Sequence, residues 1–160
     1  MTDTSHKAAS QTLREIASWQ PGRGSADSDL LPELSTMVAR SRDLSRNHGI
    51  ASGAMQTLTD NIVGTGFRLS AKPDYKLLGK TKDWEEEWQT TVEGLWRSWS
   101  ETFMCDAAQS LNFHGLTTQV FKSCLINGEA LALALWLPER PVATTIQLIE
   151  PDRLSNPNNS

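Results

Sequence analysis

Four carboxylates are the residues best suited to acid–base chemistry in this sequence: Asp60, Glu129, Glu150 and Asp152. A general acid and a general base must lie within hydrogen-bond reach of one substrate, and the sequence alone does not place any two of the four in one site. The histidines fall in a tail, a turn and a helix start: His6, His48 and His114. We therefore predict no catalytic residue, no metal ligand and no cofactor, and we expect that the protein is not an enzyme.

Gly64-Thr65-Gly66 resembles part of a phosphate-binding loop. Such a loop lies between a strand and the following helix, where free N–H groups and the positive end of the helix dipole face the anion. Here a predicted helix comes first and a predicted strand second, so the exposed groups are carbonyls at the negative end. We predict that Gly64 and Gly66 form a helix stop and a tight turn.

The segment ARSRDLSRNHGIASGAMQTLTD has the outline of a helix-turn-helix motif, with two predicted helices joined by a short turn. The first helix would contact the DNA backbone and the second the bases, through these side chains: Arg40, Arg42, Arg46, Ser52, Gln56 and Thr59. The net charge of −4 argues against DNA binding, because neutralised phosphates supply most of the affinity. A small DNA-binding module therefore remains the alternative function.

Hydrophobic residues at three- and four-residue spacing predict four helices. The first begins at Leu30 with Ser28 or Asp29 as its cap, and the second runs from Ile50 until Gly64 ends it. The third opens at Asp83, where Glu86 completes a capping box. The fourth runs from an Asn112 cap to Asn127-Gly128, with Glu129 at the corner that follows. His114, in its first turn, is expected to be solvated.

The third helix carries four tryptophans at helical spacing: Trp84, Trp88, Trp96 and Trp99. Each indole has about 150–250 Å² to bury, so we predict that this stripe belongs to the core. A subunit contact and a stacking surface for a ligand are the alternatives. Cys105 and Cys124 lie far apart without a CxxC pair, which predicts two free, buried thiols.

Three stretches predict strands. Phe67, Leu69 and Ala71 alternate with polar residues, which is typical of a half-exposed strand. Residues 131–137 are apolar on both faces between Gly128 and Pro138, so we predict a central strand covered by helices. Residues 144–149 alternate again after a turn. Together these elements predict an α+β fold, with several amphipathic helices packed on a small, mostly antiparallel sheet.

The chain divides into a tail and a domain. Residues 1–30 end in the linker-like WQPGRGSADSD, which predicts a flexible N-terminal tail. Residues 31–160 are predicted to form the α+β domain. The N-terminus lacks the apolar segment of a signal peptide, and no stretch approaches the roughly 20 apolar residues of a membrane span. We therefore expect a soluble protein of intracellular origin, with no membrane partner.

Three motifs resemble one known family. RSRDLSRNHGIASGAMQTLTDNIVGTGFRL (40–69) is similar to the start of lambda-type phage portal proteins, with their Arg-x-Arg-Asp-Leu stretch and Val-Gly-Thr-Gly turn. LNFHGLTTQVFKSCLINGEALA (111–132) resembles the family's helix, Gly-Glu corner and strand. IQLIEPDRLSNP (146–157) is similar to its Asp-Pro-Asp-Arg-Leu element, with Glu150 in place of the commoner Asp. The motifs keep the family's order over about residues 35–157.

The resemblance implies a structural subunit, or an N-terminal fragment of one, in a ring of usually twelve copies at one vertex of a phage head. It also implies terminase, capsid and head-completion proteins as partners, and a place in the virion, with assembly in the host cytoplasm. DNA would pass through the ring during packaging and ejection without sequence-specific binding. The matching residues correspond to the wing region, and the stem, clip and crown, which come later in family members, are absent from this sequence.

Arg42, Asp43 and Arg46 lie in the first of these motifs. By the resemblance we predict that they form ion pairs between subunits, and a solvated helix face is the alternative. The glycines and the Asn127-Gly128-Glu129 corner are assigned structural roles as caps and turns.

Overall fold

The computed structural model describes residues 14, 15, 18, 19, 22 and 24–154. The chain divides into two compact units, Met1–Met37 and Val38–Ser160. Most of the predicted flexible tail at residues 1–30 lies outside the described residues, so that assignment stays a prediction. Within its described part, residues 26–30 are helical.

The first unit contains helix α1 (Ala26–Leu30) and the start of α2 (Leu34–Asn47). The Ser25 hydroxyl caps α1 by accepting a hydrogen bond from the Ser28 N–H at 3.2 Å. The predicted start at Leu30, capped by Ser28 or Asp29, was therefore wrong. Residues 31–33 form a turn between the two helices, and Pro32 in that turn has no N–H to donate.

Three further helices lie in the second unit: α3 (Gly49–Ile62), α4 (Lys82–Ser100) and α5 (Phe113–Asn127). The Asn112 side chain caps α5 by accepting from the Gly115 N–H at 2.9 Å. Gly128 ends the same helix in the left-handed region, with φ of 83°. Gly64 and Gly66 follow α3 with φ of 53° and 91°. These ends agree with the sequence predictions.

The start of α4 differs from its prediction. Thr81 is the N-cap, and its hydroxyl accepts a hydrogen bond from the Trp84 N–H at 3.3 Å. The predicted capping box at Asp83 and Glu86 is not used, because the helix has already begun at Lys82. Asp83 instead lies in the first turn, where a negative charge is favoured by the helix dipole.

The sheet consists of two antiparallel strands, β1 (Leu131–Trp136) and β2 (Thr144–Ile149). Their register pairs Leu131 with Ile149 and Trp136 with Thr144. Both strands were predicted, but the central position predicted for β1 was wrong. Among residues 24–154 no other strand pairs with β1, so one of its edges is free.

The stretch from Phe67 to Ala71 has no regular secondary structure and pairs with no strand among the described residues. The predicted strand was therefore wrong. Ala71 alone in this stretch is buried, and its N–H donates to Glu93 Oε1 on α4 at 3.1 Å. A side-chain acceptor thus takes the place of a strand partner.

The buried core of the described residues is small. Its apolar members are Val63, Ala71, Cys105 and Leu116, and its polar members are Thr59, Ser100, Asp106 and Thr145. The four tryptophans of α4 are not among them, because three are half-buried and Trp88 is 38% exposed. Cys105 is buried and its pKa is raised by desolvation. Cys124 is exposed, so the prediction of two buried thiols holds for one of them.

No helix in the described parts of the chain combines the length and the apolar character needed to cross a membrane.

Candidate functional site

Arg42 joins three separate elements of the second unit. Its Nη1 and Nη2 donate to the two carboxylate oxygens of Asp152, each at 2.8 Å. Its Nε donates to Asn127 Oδ1 at 2.7 Å. This two-bond geometry matches the planar fork of a guanidinium to a carboxylate, which a lysine cannot reproduce. We call these three residues the Arg42 node.

Local structure places each member of the node. Arg42 lies in α2, and Asn127 is the last residue of α5, immediately before Gly128 turns the chain. Asp152 lies in a 3₁₀ turn, Pro151–Arg153, that follows β2. The Asn127 amide also donates to Ser123 Oγ at 3.1 Å, which fixes the orientation of the side chain. The node therefore connects a helix, the end of another helix and the turn after the hairpin.

Arg42 and Asp152 of the node form an ion pair at a partly open site. The hydrogen bonds from Arg42 lower the pKa of Asp152, and desolvation opposes this shift in part. The same bonds raise the pKa of Arg42, to which the charge of Glu150 also contributes. The Arg42 side chain is 31% exposed and that of Asp152 is 65% exposed. Solvent therefore screens the pair, so its role is to fix geometry more than to add stability.

The predicted subunit-contact residues bond within the chain. Arg42 forms the node, and Arg46 Nε donates to the Arg42 carbonyl at 3.1 Å. The Asp43 carboxylate accepts from Asn47 Nδ2 at 2.6 Å. Their assignment to ion pairs between subunits stays a prediction. The node itself was not predicted, because Asn127 and Asp152 lie 85 and 110 residues from Arg42 in the sequence.

A second set of contacts anchors the hairpin through Arg140. The Arg140 Nη1 and Nη2 donate to the carbonyls of Asp106 and Ala107 at 2.9 and 2.7 Å. The buried Asp106 carboxylate accepts N–H bonds from the loop that contains it, from Ser110 at 2.9 Å and Leu111 at 3.0 Å. The Ala107 N–H donates to the Ile146 carbonyl at 2.8 Å, so the loop also binds the outer side of β2.

Aromatic rings join α4 to α5 and to β2. The rings of Trp96 and Trp99 lie 5.1 and 5.5 Å from that of Phe113. Trp99 Nε1 donates to the Thr144 carbonyl at 2.8 Å. Two of the four tryptophans thus hold the helices and the sheet together. Trp84 and Trp88 stack on each other with ring centroids 6.2 Å apart, near the start of α4.

A cavity of about 540 Å³ lies between the loop after α3, α4 and the start of α5. Gly66 lines it, and a Cβ on Gly66 would lie 3.0 Å from Nδ1 of the exposed His114. Glycine is therefore required there by its positive φ and by this close approach. The walls combine aromatic rings with charges of both signs: Phe67, Arg68, Glu93, Trp96, Arg97, Glu101 and Phe113. The pKa of Glu93 is lowered, mainly by the N–H of Ala71 and then by Gln89.

Two of the three side chains predicted for base reading, Gln56 and Thr59, make hydrogen bonds within the protein, and Ser52 is exposed. Thr59 is buried, and its hydroxyl donates to the Met55 carbonyl at 2.7 Å. The Gln56 amide bonds to Asp60 at 2.8 Å, and its oxygen accepts from Lys122 on α5 at 3.2 Å. Gln56 is thus bonded to α5 and Thr59 is buried, whereas a recognition helix presents such side chains to the bases of a major groove. The helix-turn-helix alternative is not favoured.

The four carboxylates do not form an acid–base pair in the described residues. Asp60 accepts a bond from Gln56, Asp152 pairs with Arg42, and Glu150 faces Arg153 with 3.8 Å between Oε2 and Nε. Glu129 contributes its backbone carbonyl, which accepts from the Ser123 hydroxyl at 2.8 Å. Within residues 24–154 and the few described before them, no group of three His, Cys, Asp or Glu is placed to hold a metal.

Comparison with known proteins assigns the chain to a family. The sequence model described as "Phage portal protein, lambda family" matches residues 12–160. The chain is 35% identical over 149 residues to the "Portal protein" of Escherichia phage N15, and 33% identical over 150 residues to "Portal protein B" of Escherichia phage lambda. Each match covers 91% of this chain and 28% of the relative, so the chain spans less than a third of their length. The chain belongs to the lambda family of phage portal proteins.

Proposed function

We propose that this chain forms part of the wall of a phage portal ring through which DNA is packaged and ejected. The observation that carries the proposal is that the three family-like stretches meet at one point. Arg42 comes from the first stretch, Asn127 from the second and Asp152 from the third. Segments distant in sequence are thus held together by side-chain hydrogen bonds, which suits a structural role.

The charge of the chain supports passage of DNA and not capture of it. A net charge of −4 repels a polyanion at long range. A ring that gripped DNA would oppose its movement, so a surface without basic excess suits the proposal. The partners would be other copies of the subunit, with terminase, capsid and head-completion proteins, and the protein would be a component of the virion.

The proposal is tested with a chimeric protein in which this chain replaces the matched stretch of portal protein B of phage lambda. The chimera is expressed in cells infected by a lambda phage that lacks a functional portal protein. We expect closed rings on native mass spectrometry, and plaques. The unaltered lambda protein is the positive control. A chimera that stays monomeric and gives no plaques would contradict the proposal.

A direct measurement distinguishes the alternative of a DNA-binding module. The 160-residue chain is titrated with a short duplex at two ionic strengths. We expect no binding at either. Binding that weakens steeply with salt would favour the module, because released counterions give a slope that grows with each phosphate contacted.

A further inference from the structure

Strand β1 has a free edge whose donors and acceptors can be assigned. The Leu137 N–H donates to the Ala143 carbonyl at 2.8 Å, so this pair is a hydrogen-bonded one. In an antiparallel ladder such pairs alternate along the strand. Leu135 and Leu133 therefore bond to β2. The backbone groups of alternate residues point to the free edge: Ala132, Ala134 and Trp136.

The free edge of β1 lacks the features that normally prevent an edge strand from pairing with another strand. Natural edge strands carry a lysine, a proline, a bulge or an inward charge that prevents pairing with another strand. The sequence of β1 is LALALW, which contains no lysine, no proline and no charged residue, and its pairing with β2 has no bulge. Trp136 is 72% exposed and Leu133 is 47% exposed, so the strand is also apolar where it meets solvent. An unprotected edge of this kind is a site for β-strand addition.

The outer edge of β2 is different. The Phe103–Ala107 region lies against it, with a parallel bridge between Asp106 and Ile146. Arg140 reinforces that loop through its bonds to the Asp106 and Ala107 carbonyls. One edge of the sheet is thus closed within the described residues, and the apolar edge is the open one.

We propose that the free edge of β1 binds a β-strand from the part of a portal polypeptide that lies outside the stretch matched here. In the portal proteins of phages N15 and lambda the match covers 28% of the length, which leaves about 72% of each polypeptide to supply that strand. Leu154, the last described residue, lines the same cavity of about 580 Å³ as Leu131 and Leu133. The surface beside β1 therefore continues into the turn after β2.

A second copy of β1 is the competing occupant, and symmetry argues against it. Two β1 strands that pair with each other form an isologous contact, which closes as a dimer. A ring requires head-to-tail contacts between different surfaces. The inference thus rests on the proposed portal function, and it specifies how one surface of the subunit is covered.

The experiment uses the lambda chimera with a photo-crosslinking amino acid in place of Ala134. Chimeric subunits with ordinary and heavy nitrogen are mixed, so that crosslinks within and between polypeptides differ in mass. We expect a crosslink within one polypeptide to a segment outside the matched stretch. A crosslink to β1 of another copy would overturn the proposal, and so would the absence of a crosslink in assembled rings. Ring formation itself reports on the proposed function separately.

Two substitutions at one position provide a matched pair. Ala134→Pro removes the N–H that faces the free edge but leaves the ladder to β2 intact, whereas Ala134→Val keeps that N–H. We expect the proline variant to reduce the yield of folded chimera roughly tenfold. The reduction is expected because proline cannot make the hydrogen bond to the added strand and its ring clashes with that strand. Equal yields for the two variants would overturn the proposal.

Hydrogen exchange on the 160-residue chain tests the edge without the chimera. Here the Ala132 and Ala134 amides should exchange roughly tenfold faster or more than those of Leu133 and Leu135, which bond to β2. The same two amides should become protected in the chimera. Equal protection of all four in the chain alone would mean that the edge is already covered, and the proposal would fail.

Discussion

Replacing Thr145 with valine is expected to stabilise the protein. Thr145 lies in β2 opposite Leu135 and is fully buried. Its hydroxyl has no hydrogen-bond partner among the described residues. A buried polar group in that state costs about 1–3 kcal/mol of desolvation free energy. Valine has nearly the same shape, has a higher strand propensity and removes the cost.

The expected gain in unfolding free energy is about 1–2 kcal/mol, since part of the penalty is offset by relaxation around the hydroxyl. For a chain of this length a change of 1 kcal/mol shifts the melting temperature by about 3 °C, so a rise of roughly 3–6 °C is expected. Thermal and urea unfolding followed by circular dichroism give both quantities. Coincident transitions are needed for a two-state treatment.

Two matched variants make the result specific. Thr144→Val changes the neighbouring exposed residue of the same strand and should alter the stability by less than about 0.5 kcal/mol. Thr145→Ser keeps the hydroxyl but loses a buried methyl, and it should destabilise the chain by about 1 kcal/mol. If Thr145→Val lowers the melting temperature, the hydroxyl is bonded in solution and the reasoning is refuted.

Four other perturbations have defined outcomes. Stability from the lowered pKa of Asp152 is present above the ordinary carboxyl value of 3.8 and is lost as the pH falls through the lowered value. Melting curves of the parent and of Asp152→Asn should therefore differ near pH 7 and converge as the pH falls below the lowered pKa of Asp152; a constant gap would contradict the Arg42 pair. Arg140→Lys should cost about 1–3 kcal/mol in urea unfolding, because an ammonium cannot serve both carbonyls in the fork geometry; no change would mean that the loop holds without it. Trp99→Phe removes the indole N–H bond but keeps an aromatic ring, so a loss of about 0.5–1.5 kcal/mol is expected, and a neutral result would assign the indole to packing alone. Arg46→Glu in the lambda chimera should reduce ring yield without changing the melting temperature of the chain, and an unchanged ring yield on native mass spectrometry would remove Arg46 from the subunit contact.

Capping residues, glycines and prolines correctly predicted several element ends that depend on residues close in sequence. Asn112 and Gly128 bound α5 because capping and a left-handed turn require those residue types at those positions. Gly128 and Pro138 likewise separated β1 from the helix that its Leu and Ala composition favours. The alternation at Phe67–Ala71 failed as a strand signal, because it does not report the presence of a partner strand, and Phe67 and Leu69 are in fact exposed.

Nonlocal contacts explain what the sequence did not predict. Arg42 was recognised as a residue of interest, but Asp152 and Asn127 become its partners only after α2, α5 and the hairpin have packed. The three matched motifs signalled that these segments matter. They did not indicate that the segments meet at the Arg42 guanidinium. The residue pattern within one motif carries no information about how close that motif lies to another motif in the folded protein.

The connections of the second unit are mainly polar and aromatic, and this suits a portal subunit. The described core has four buried apolar residues, so packing alone gives little rigidity. Arg42, Arg140 and the Trp99 indole each tie a helix or loop to the hairpin or to the turn after it. Such bonds fix geometry without using much apolar surface. Apolar side chains on α3 and β1 thus remain exposed, including Ile50 at 81% and Trp136 at 72%. In the proposed ring these exposed apolar surfaces would be available for contact with other parts of the portal.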